Sequence, residues 1–397
     1  MESRLHVQNN TTLDTLMKSS IYLHIPYCKQ ACSYCDFHFS TNLKTREEVL
    51  GRMLQEIKTR SIVAPWRNTQ IGSIYFGGGT PSLLESEEIE QLLQHIRHTF
   101  KDISPDVEIT LEANPDDITP ERLEHWYSAG INRLSVGIQS FEAAELSASN
   151  RAHTAKESHQ VLQWITESAF ENYSVDLIYG MPGSTTESWQ NNLQQLENYA
   201  PPHISCYALT VEENTALAHQ VKKGTTRLPD EEAVLAQYEQ LRIWARTQGY
   251  EHYELSNYSK AGKRSLHNQH YWSYEPYLGI GPGAHSFDGT IRFWNVSNNN
   301  LYTQGAEITQ EALSVSEQLN ERLMVRLRTA DGFRYSKDLP QRGLSTADEE
   351  AFRKNIAEGL RIGVIAPIND GFRILPENWM TSDAIIAGLM IDHNDED

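Results

Sequence analysis

The sequence predicts an α/β fold built on a parallel sheet, and three observations carry that reading. Short apolar runs alternate with helical patterns six times between Ile21 and about Leu209. A chain of 397 residues, 39% of them hydrophobic, exceeds one small module and can bury a substantial core. After about residue 230 the alternation stops, which sets apart a smaller mixed α/β C-terminal domain. Six βα units imply a parallel sheet with covered faces. Right-handed crossovers can curl such a sheet into a full or a partial barrel, and periodicity leaves that choice open.

The elements follow in order. Met1–Ser20 is polar and reads as an extension. IYLHIP (21–26) is the first strand, followed by a helix near 45–60 and a strand at SIYFGGG. A helix at about 83–99 carries Leu84, Ile89, Leu92, Leu93 and Ile96 at helical spacing. EITLEANP is the third strand. Thr119-Pro120-Glu121 then supplies an N-cap and a proline at the first helical position. RLSVGIQS, YSVDLIYG and HISCYALT are strands four to six, with helical patterns at 154–169 and 185–198 between the later ones. A helix near 230–248 precedes an aromatic, glycine-rich stretch, Tyr250 to Trp294, containing HNQHYW and YLGIGPGAHSF. Helices and short strands fill 315–395, and DHNDED closes the chain as a solvated acidic tail. The expected divisions are an extension (1–20), a core (21–230), a connecting segment (231–310) and a small domain (311–397). No repeat of 20–50 residues is present.

Composition excludes several classes. With 34 basic against 53 acidic residues the net charge is −19, so no nucleic-acid partner is expected. The first twenty residues lack the apolar core of a secretory signal. No apolar run approaches the roughly 18–20 residues that span a bilayer. The expected compartment is therefore the cytoplasm. Four cysteines in so long a chain are not a disulfide scaffold.

Three of those cysteines, Cys28, Cys32 and Cys35, fall within eight residues directly after the first strand. Thiolates are soft ligands, suited to an iron–sulfur cluster or to zinc. A saturated cubane takes four thiolates, so three would leave one iron open to a small molecule. Zinc would need a fourth donor, for which His24 or His38 could serve. The turn Phe76-Gly77-Gly78-Gly79-Thr80-Pro81 after the second strand permits close backbone approach to a ligand. By itself it also suits any tight strand-to-helix turn. Glu112, Gln139, Arg151 and Asp176 lie at or after successive strand ends, the ligand face of an α/β barrel. Cys206 shares a strand face with Ile204 and Ala208, and a buried structural thiol is its default reading. In HNQHYW a neutral imidazole suits haem iron, while a histidine bonded within a helix or loop is the plain alternative.

The cysteine spacing and the glycine turn resemble the radical S-adenosylmethionine (SAM) superfamily. That resemblance implies a partial (β/α)6 barrel, a [4Fe–4S] cluster on Cys28, Cys32 and Cys35, and SAM. It assigns Gly78, Gly79 and Thr80 to the SAM amino group, Glu112 and Asp176 to the ribose hydroxyls, and Arg151 to the carboxylate. Gln139, Tyr22, Tyr34 and Ala208 match further cofactor-lining positions. Within the superfamily HIPYCxxxCxYCDF, FGGGTPS, GIQSF, VDLIYGMPG and HNQHYW together look like the HemW group of haem chaperones, from about Ile21 to near the C-terminus. True coproporphyrinogen oxidases carry an additional cysteine where this chain has Phe37, and their second SAM site has no clear counterpart here. His267-Asn268-Gln269-His270-Tyr271-Trp272 matches the HNxxYW motif of that group, which implies haem ligation by His267, while His270 falls on a variable position.

The expected function is a haem chaperone that passes haem to an acceptor protein. An electron donor for the cluster and transient contact with membrane-bound acceptors are expected with it. The alternative is a radical enzyme performing oxidative decarboxylation of a porphyrinogen. A zinc-stabilised binding module is the third class.

Overall fold

The computed structural model describes residues 18–340 and 343–391. The extension up to residue 17 and the tail DHNDED lie outside the described residues. Lys18, Ser19 and Ser20, expected in the extension, instead begin the first strand.

Six parallel strands stand side by side in chain order: β1 (Lys18–Ile25), β2 (Gln70–Gly78), β3 (Ile103–Ala113), β4 (Arg133–Gln139), β5 (Tyr173–Tyr179) and β6 (His203–Ala208). The connections carry α1 (Arg46–Arg60), α2 (Ser86–Thr99), α3 (Pro120–Ala129), α4 (Ala143–Ala148), α5 (Ala155–Glu167) and α6 (Thr186–Glu197). The Thr119-Pro120 signal behaves as read. Thr119 accepts a hydrogen bond from the amide of Arg122 at 3.2 Å, and Pro120 opens α3. Thr154 and Glu157 form a capping box at the start of α5.

After β6 come α7 (Ala216–Lys222) and α8 (Glu231–Thr247). Strands β7 (Glu251–Glu254) and β8 (Asn257–Ser259) then add antiparallel to the β6 edge. After α9 (Leu266–Trp272), β9 (Tyr277–Ile280) pairs parallel with β1. It leads outward to β10 (His285–Phe287), β11 (Ile291–Trp294) and, past α10 (Asn299–Thr303), β12 (Thr309–Ala312). The stretch 231–310 thus extends the sheet at both edges. The edge strands β7 and β12 do not pair with each other, so the barrel is partial.

The two faces of this sheet differ sharply. Outward residues such as Leu23, Phe76, Leu111, Val136, Val175 and Ile204 are buried against helix residues including Met53, Leu93, Trp126, Leu162 and Leu193. The inward face is polar, with Ser20, Tyr22 and His24 on β1, Ser73 and Tyr75 on β2, Thr110 and Glu112 on β3, and Arg133 and Ser135 on β4. These groups satisfy one another across strands: Tyr75 Oη donates to Glu112 Oε1 at 2.8 Å, Ser135 Oγ to Asp176 Oδ2 at 2.8 Å, and Ser174 and Ser205 pair at 3.0 Å. A barrel packed only for stability fills with branched apolar side chains. This one reserves its interior for polar chemistry.

A smaller unit follows: α11 (Val315–Arg326), β13 (Phe333–Arg334), α12 (Tyr335–Asp338), α13 (Thr346–Ile362), β14 (Ala366–Ile368), β15 (Gly371–Arg373) and α14 (Ser382–Leu389). Its three strands form an antiparallel sheet, and Leu323, Phe333, Phe352, Phe372 and Trp379 belong to a core separate from that of the barrel.

Candidate functional site

The C-terminal strand ends open into one cleft of about 420 Å3. Its lining includes Cys28, Cys32, Tyr34, Cys35, Gly78, Gly79, Thr80, Glu112, Gln139, Arg151, Asp176 and Ala208. The barrel therefore gathers residues spread over 180 positions of chain, because most follow or end a strand of one parallel sheet, while Asp176 faces the interior from the middle of β5. Tyr22 and His267 do not line it.

The cysteine loop is pinned at both ends. The Cys28 amide donates to the carbonyl of Ser40 at 3.1 Å, and the Cys35 amide to that of Cys32 at 3.3 Å. The glycine turn lies directly against the start of this loop, through Gly79 N to Ile25 O at 2.8 Å and Thr80 N to Tyr27 O at 2.7 Å. A Cβ on Gly79 would stand 2.6 Å from the Tyr27 carbonyl oxygen, so only glycine permits this approach. Gly78, at φ +108°, needs glycine for its backbone conformation.

Two side chains point hydrogens at the cysteine sulfurs. Thr80 Oγ1 donates to Cys28 Sγ at 3.5 Å, and Arg151 Nη1 to Cys32 Sγ at 3.2 Å. Burial pushes the Cys28 thiol up and the Cys35 thiol up to about 11. Metal coordination is what turns such thiols into thiolates. Among the described residues no three His, Cys, Asp or Glu side chains converge on a point that could hold one metal ion. The two histidines that could have served zinc as a fourth donor are engaged elsewhere. His24 has Nδ1 on Tyr22 Oη at 3.2 Å and Nε2 on the His38 carbonyl at 2.9 Å, while His38 Nε2 meets Asn299 Oδ1 at 2.8 Å. Cys206 is buried on the opposite face of its strand, in the apolar core, away from the triplet.

Arg151 has an orphaned donor. Its Nη2 serves Asn114 Oδ1 at 2.8 Å and the Gly137 carbonyl at 3.0 Å, its Nη1 serves Cys32, and its Nε is buried without a partner. A buried, unserved guanidinium N–H in a cleft calls for an anionic acceptor. On the opposite wall the Glu112 carboxyl is pushed up to about 7, first by burial, with the Tyr75 hydrogen bond opposing and Asp176 adding to the rise. Asp176 is raised by burial while serine hydroxyls restrain it. Both are poised to gain from a ligand that brings hydroxyl donors and positive charge. Gln139 takes φ +64° at a register irregularity between β4 and β5, a strained backbone at the cleft wall. A zwitterion with one carboxylate, hydroxyls and a cationic centre fits these groups.

Two expected positions sit elsewhere. Tyr22 lies beneath the cleft, its ring stacked on Tyr75 at 6.1 Å and its hydroxyl on His24. It is not among the side chains that line the cleft. His267 lies deeper still, on α9, whose N-terminus enters the opposite mouth of the barrel. Glu108 accepts the amides of Leu266 at 3.1 Å and His267 at 3.0 Å. The His267 ring stacks on Tyr75 at 4.7 Å and meets Tyr271 edge-on at 4.9 Å. Its Nδ1 pairs with Ser73 Oγ at 2.9 Å, and Nε2 is buried without a partner. At 2% exposure this imidazole is enclosed by the barrel in this structure. Burial and His270 hold it well below the usual histidine range, so it is neutral.

Asn114 and Tyr75 were not singled out from the sequence, yet both build the site. The signal for each was strand alternation: Asn114 follows Glu112 by two positions, and Tyr75 precedes Gly77 by two.

The radical SAM superfamily model matches residues 22–196. The chain is 33% identical over 321 residues to heme chaperone HemW of Lactococcus lactis subsp. lactis (strain IL1403), covering 79% of this chain and 82% of that relative. It is 34% identical over 328 residues to heme chaperone HemW of Bacillus subtilis (strain 168), covering 80% and 84%. Among solved structures, coproporphyrinogen III oxidase (HemN) from Escherichia coli is similar at a TM-score of 0.80 and 22% identity, covering 94% of this chain and 90% of that one, a likeness of fold. With a cleft of this design and relatives matched over four-fifths of their length, the chain belongs to the HemW family of the radical SAM superfamily.

Proposed function

We propose that this chain is a haem chaperone: it holds a [4Fe–4S] cluster and SAM in the barrel cleft, binds haem, and delivers it to an acceptor protein. The superfamily carries the cluster and SAM, and the residues of the cleft fit both. Cys28, Cys32 and Cys35 would hold the cluster. Arg151 would offer Nε to the SAM carboxylate, and Gly78, Gly79 and Thr80 would take its amino group. Glu112 and Asp176 would accept from the ribose hydroxyls, with Tyr34, Gln139 and Ala208 lining the remainder. When bound, the cluster and SAM supply one-electron chemistry, for which an electron donor protein is needed.

The observation that carries the haem part is the His267 imidazole, neutral and fixed at Nδ1, with a free Nε2. That donor suits haem iron in kind. Its enclosure does not suit haem, so α9 must leave the barrel mouth before Nε2 can be reached. Among the described residues no helix is long and apolar enough to cross a membrane. Phe37, 67% exposed at the cleft, supports this reading over porphyrinogen decarboxylation, because it stands where those oxidases place an extra thiol.

The test is an anaerobic haemin titration of the cluster-loaded chain and of His267→Ala, followed at the Soret band. Saturation near one haem per chain (on the order of a single axial site), weakened in the variant, is expected. No saturable binding in either would overturn the proposal and turn attention to protoporphyrinogen formation from coproporphyrinogen.

A further inference from the structure

Asn114 joins the two groups that touch the cysteine sulfurs. Its Oδ1 accepts from Arg151 Nη2 at 2.8 Å, and its Nδ2 donates to Thr80 Oγ1 at 3.2 Å. Arginine has only donors, so the amide oxygen must face Arg151 and the NH2 must face Thr80. The Thr80 oxygen is then already an acceptor, and its own hydrogen is turned toward Cys28 Sγ, 3.5 Å away. On the other arm the guanidinium is held with Nη1 on Cys32 Sγ at 3.2 Å, and its Nε is buried without a partner. One amide therefore sets the direction of both hydrogen bonds to sulfur.

We infer that Asn114 is a positioning residue that tunes the reduction potential of the cluster by fixing the Thr80 and Arg151 donors on two of its thiolates. This rests on the superfamily reading of the cleft. Donors aimed at cluster sulfurs favour the reduced, more negative state and raise the potential. The polarity of the amide makes a sharp forecast. In Asn114→Asp both oxygens accept. Arg151 stays clamped, while the Thr80 hydroxyl turns its hydrogen to the new carboxylate and Cys28 loses its donor. Asn114→Ala releases both arms. Thr80→Val removes the Cys28 donor alone.

Midpoint potentials are measured by EPR-monitored redox titration of anaerobically reconstituted full-length chains, with iron and sulfide content checked first. All three variants should have more negative potentials than wild type. The reduction equilibrium should shift on the order of tenfold in Asn114→Asp, which is about 59 mV for one electron. Cluster loaded to the wild-type level with an unmoved potential in both Asn114→Asp and Thr80→Val would overturn the inference. If Asn114→Ala fails to fold, Asn114→Asp, close in size and still bound to Arg151, decides the matter. A wild-type chain that takes up no cluster would instead refute the reading of the cleft.

Discussion

Replacing Glu108 by glutamine should speed haem capture by this chain. The reason lies in how α9 is held in the barrel mouth. The Glu108 carboxylate accepts the amides of Leu266 and His267 at 3.1 and 3.0 Å, and the Ser265 hydroxyl at 3.4 Å. It faces the helix N-terminus, where negative charge is favoured. Hydrogen bonds to a charged acceptor are worth roughly 1.5–3 kcal/mol each, and the Ser73–His267 bond about 1 kcal/mol. The Tyr75 and Tyr271 ring contacts add about 0.5–1.5 kcal/mol apiece. Such terms overlap, so withdrawing α9 costs on the order of 5 kcal/mol, and the open population is on the order of 10⁻⁴.

Glutamine keeps one accepting oxygen but removes the charge. A loss of about 1.4 kcal/mol raises the open population about tenfold. In stopped-flow mixing of haemin with wild type, the observed rate should level off as haemin increases, because opening becomes limiting. In Glu108→Gln the plateau should rise about tenfold, and His267→Ala should abolish the phase in both backgrounds. Thermal denaturation checks folding, since the buried Arg133 has Nε 3.9 Å from Glu108 and loses a countercharge. A rate that stays linear in haemin and is the same in wild type and Glu108→Gln would refute the reasoning, showing that haem reaches its ligand without displacing α9.

Two further outcomes follow from local geometry. Gly79→Ala places a methyl group 2.6 Å from the Tyr27 carbonyl and 2.9 Å from that of Ile25, so the turn must part from the cysteine loop at a cost of about 1–3 kcal/mol. Calorimetric SAM binding and iron content should both fall, and wild-type values for both would contradict the close approach described here. Glu254 is buried behind α9, and burial pushes its carboxyl up to about 7 against donors on Asn257, Ser256 and Trp272. A folded-state value above the ordinary 4.5 means stability that is full below about pH 4.5 and lost as pH rises through about 7. That loss is on the order of 3 kcal/mol. Urea denaturation at pH 5 and pH 8 should therefore show a smaller decline for Glu254→Gln than for wild type, and equal declines would mean the carboxyl is not shifted.

The cleft was legible in the sequence because a parallel sheet converts chain order into spatial convergence. Once six βα units were recognised, Cys28, Gly79, Glu112 and Arg151 had to meet, since each lies at the same end of its unit, and Asp176 joins them from the middle of β5. Groups one layer below were not legible. Tyr22 and Tyr75 alternate correctly for the barrel interior, but alternation gives a face and not a depth. Tyr22 therefore read as a cleft residue, although His24 and Gly77 separate it from the opening. Asn114 was hidden by its neighbours, because EANP signals the end of a strand and a turn before it signals an amide held between Thr80 and Arg151.

The enclosure of His267 was not legible for a different reason. HNQHYW announces an imidazole and aromatic surface, and in a short segment both suggest an exposed pocket. The barrel interior changes that inference. Its inward face is polar, so an imidazole, a serine and carboxylates at the lower mouth can be buried there, held by bonds such as Ser73 Oγ to His267 Nδ1 and the Leu266 and His267 amides to Glu108, where an apolar barrel would have expelled them. The same polarity joins the two ends. Tyr75 places its hydroxyl on Glu112 at the cleft wall and its ring on His267 at the floor. Withdrawal of α9 removes the surface on which that ring is stacked, and Glu112 is the group the hydroxyl restrains. His267 and the Glu112 wall of the cleft therefore share the side chain of Tyr75, and under the proposed function neither end can rearrange without changing the support of the other.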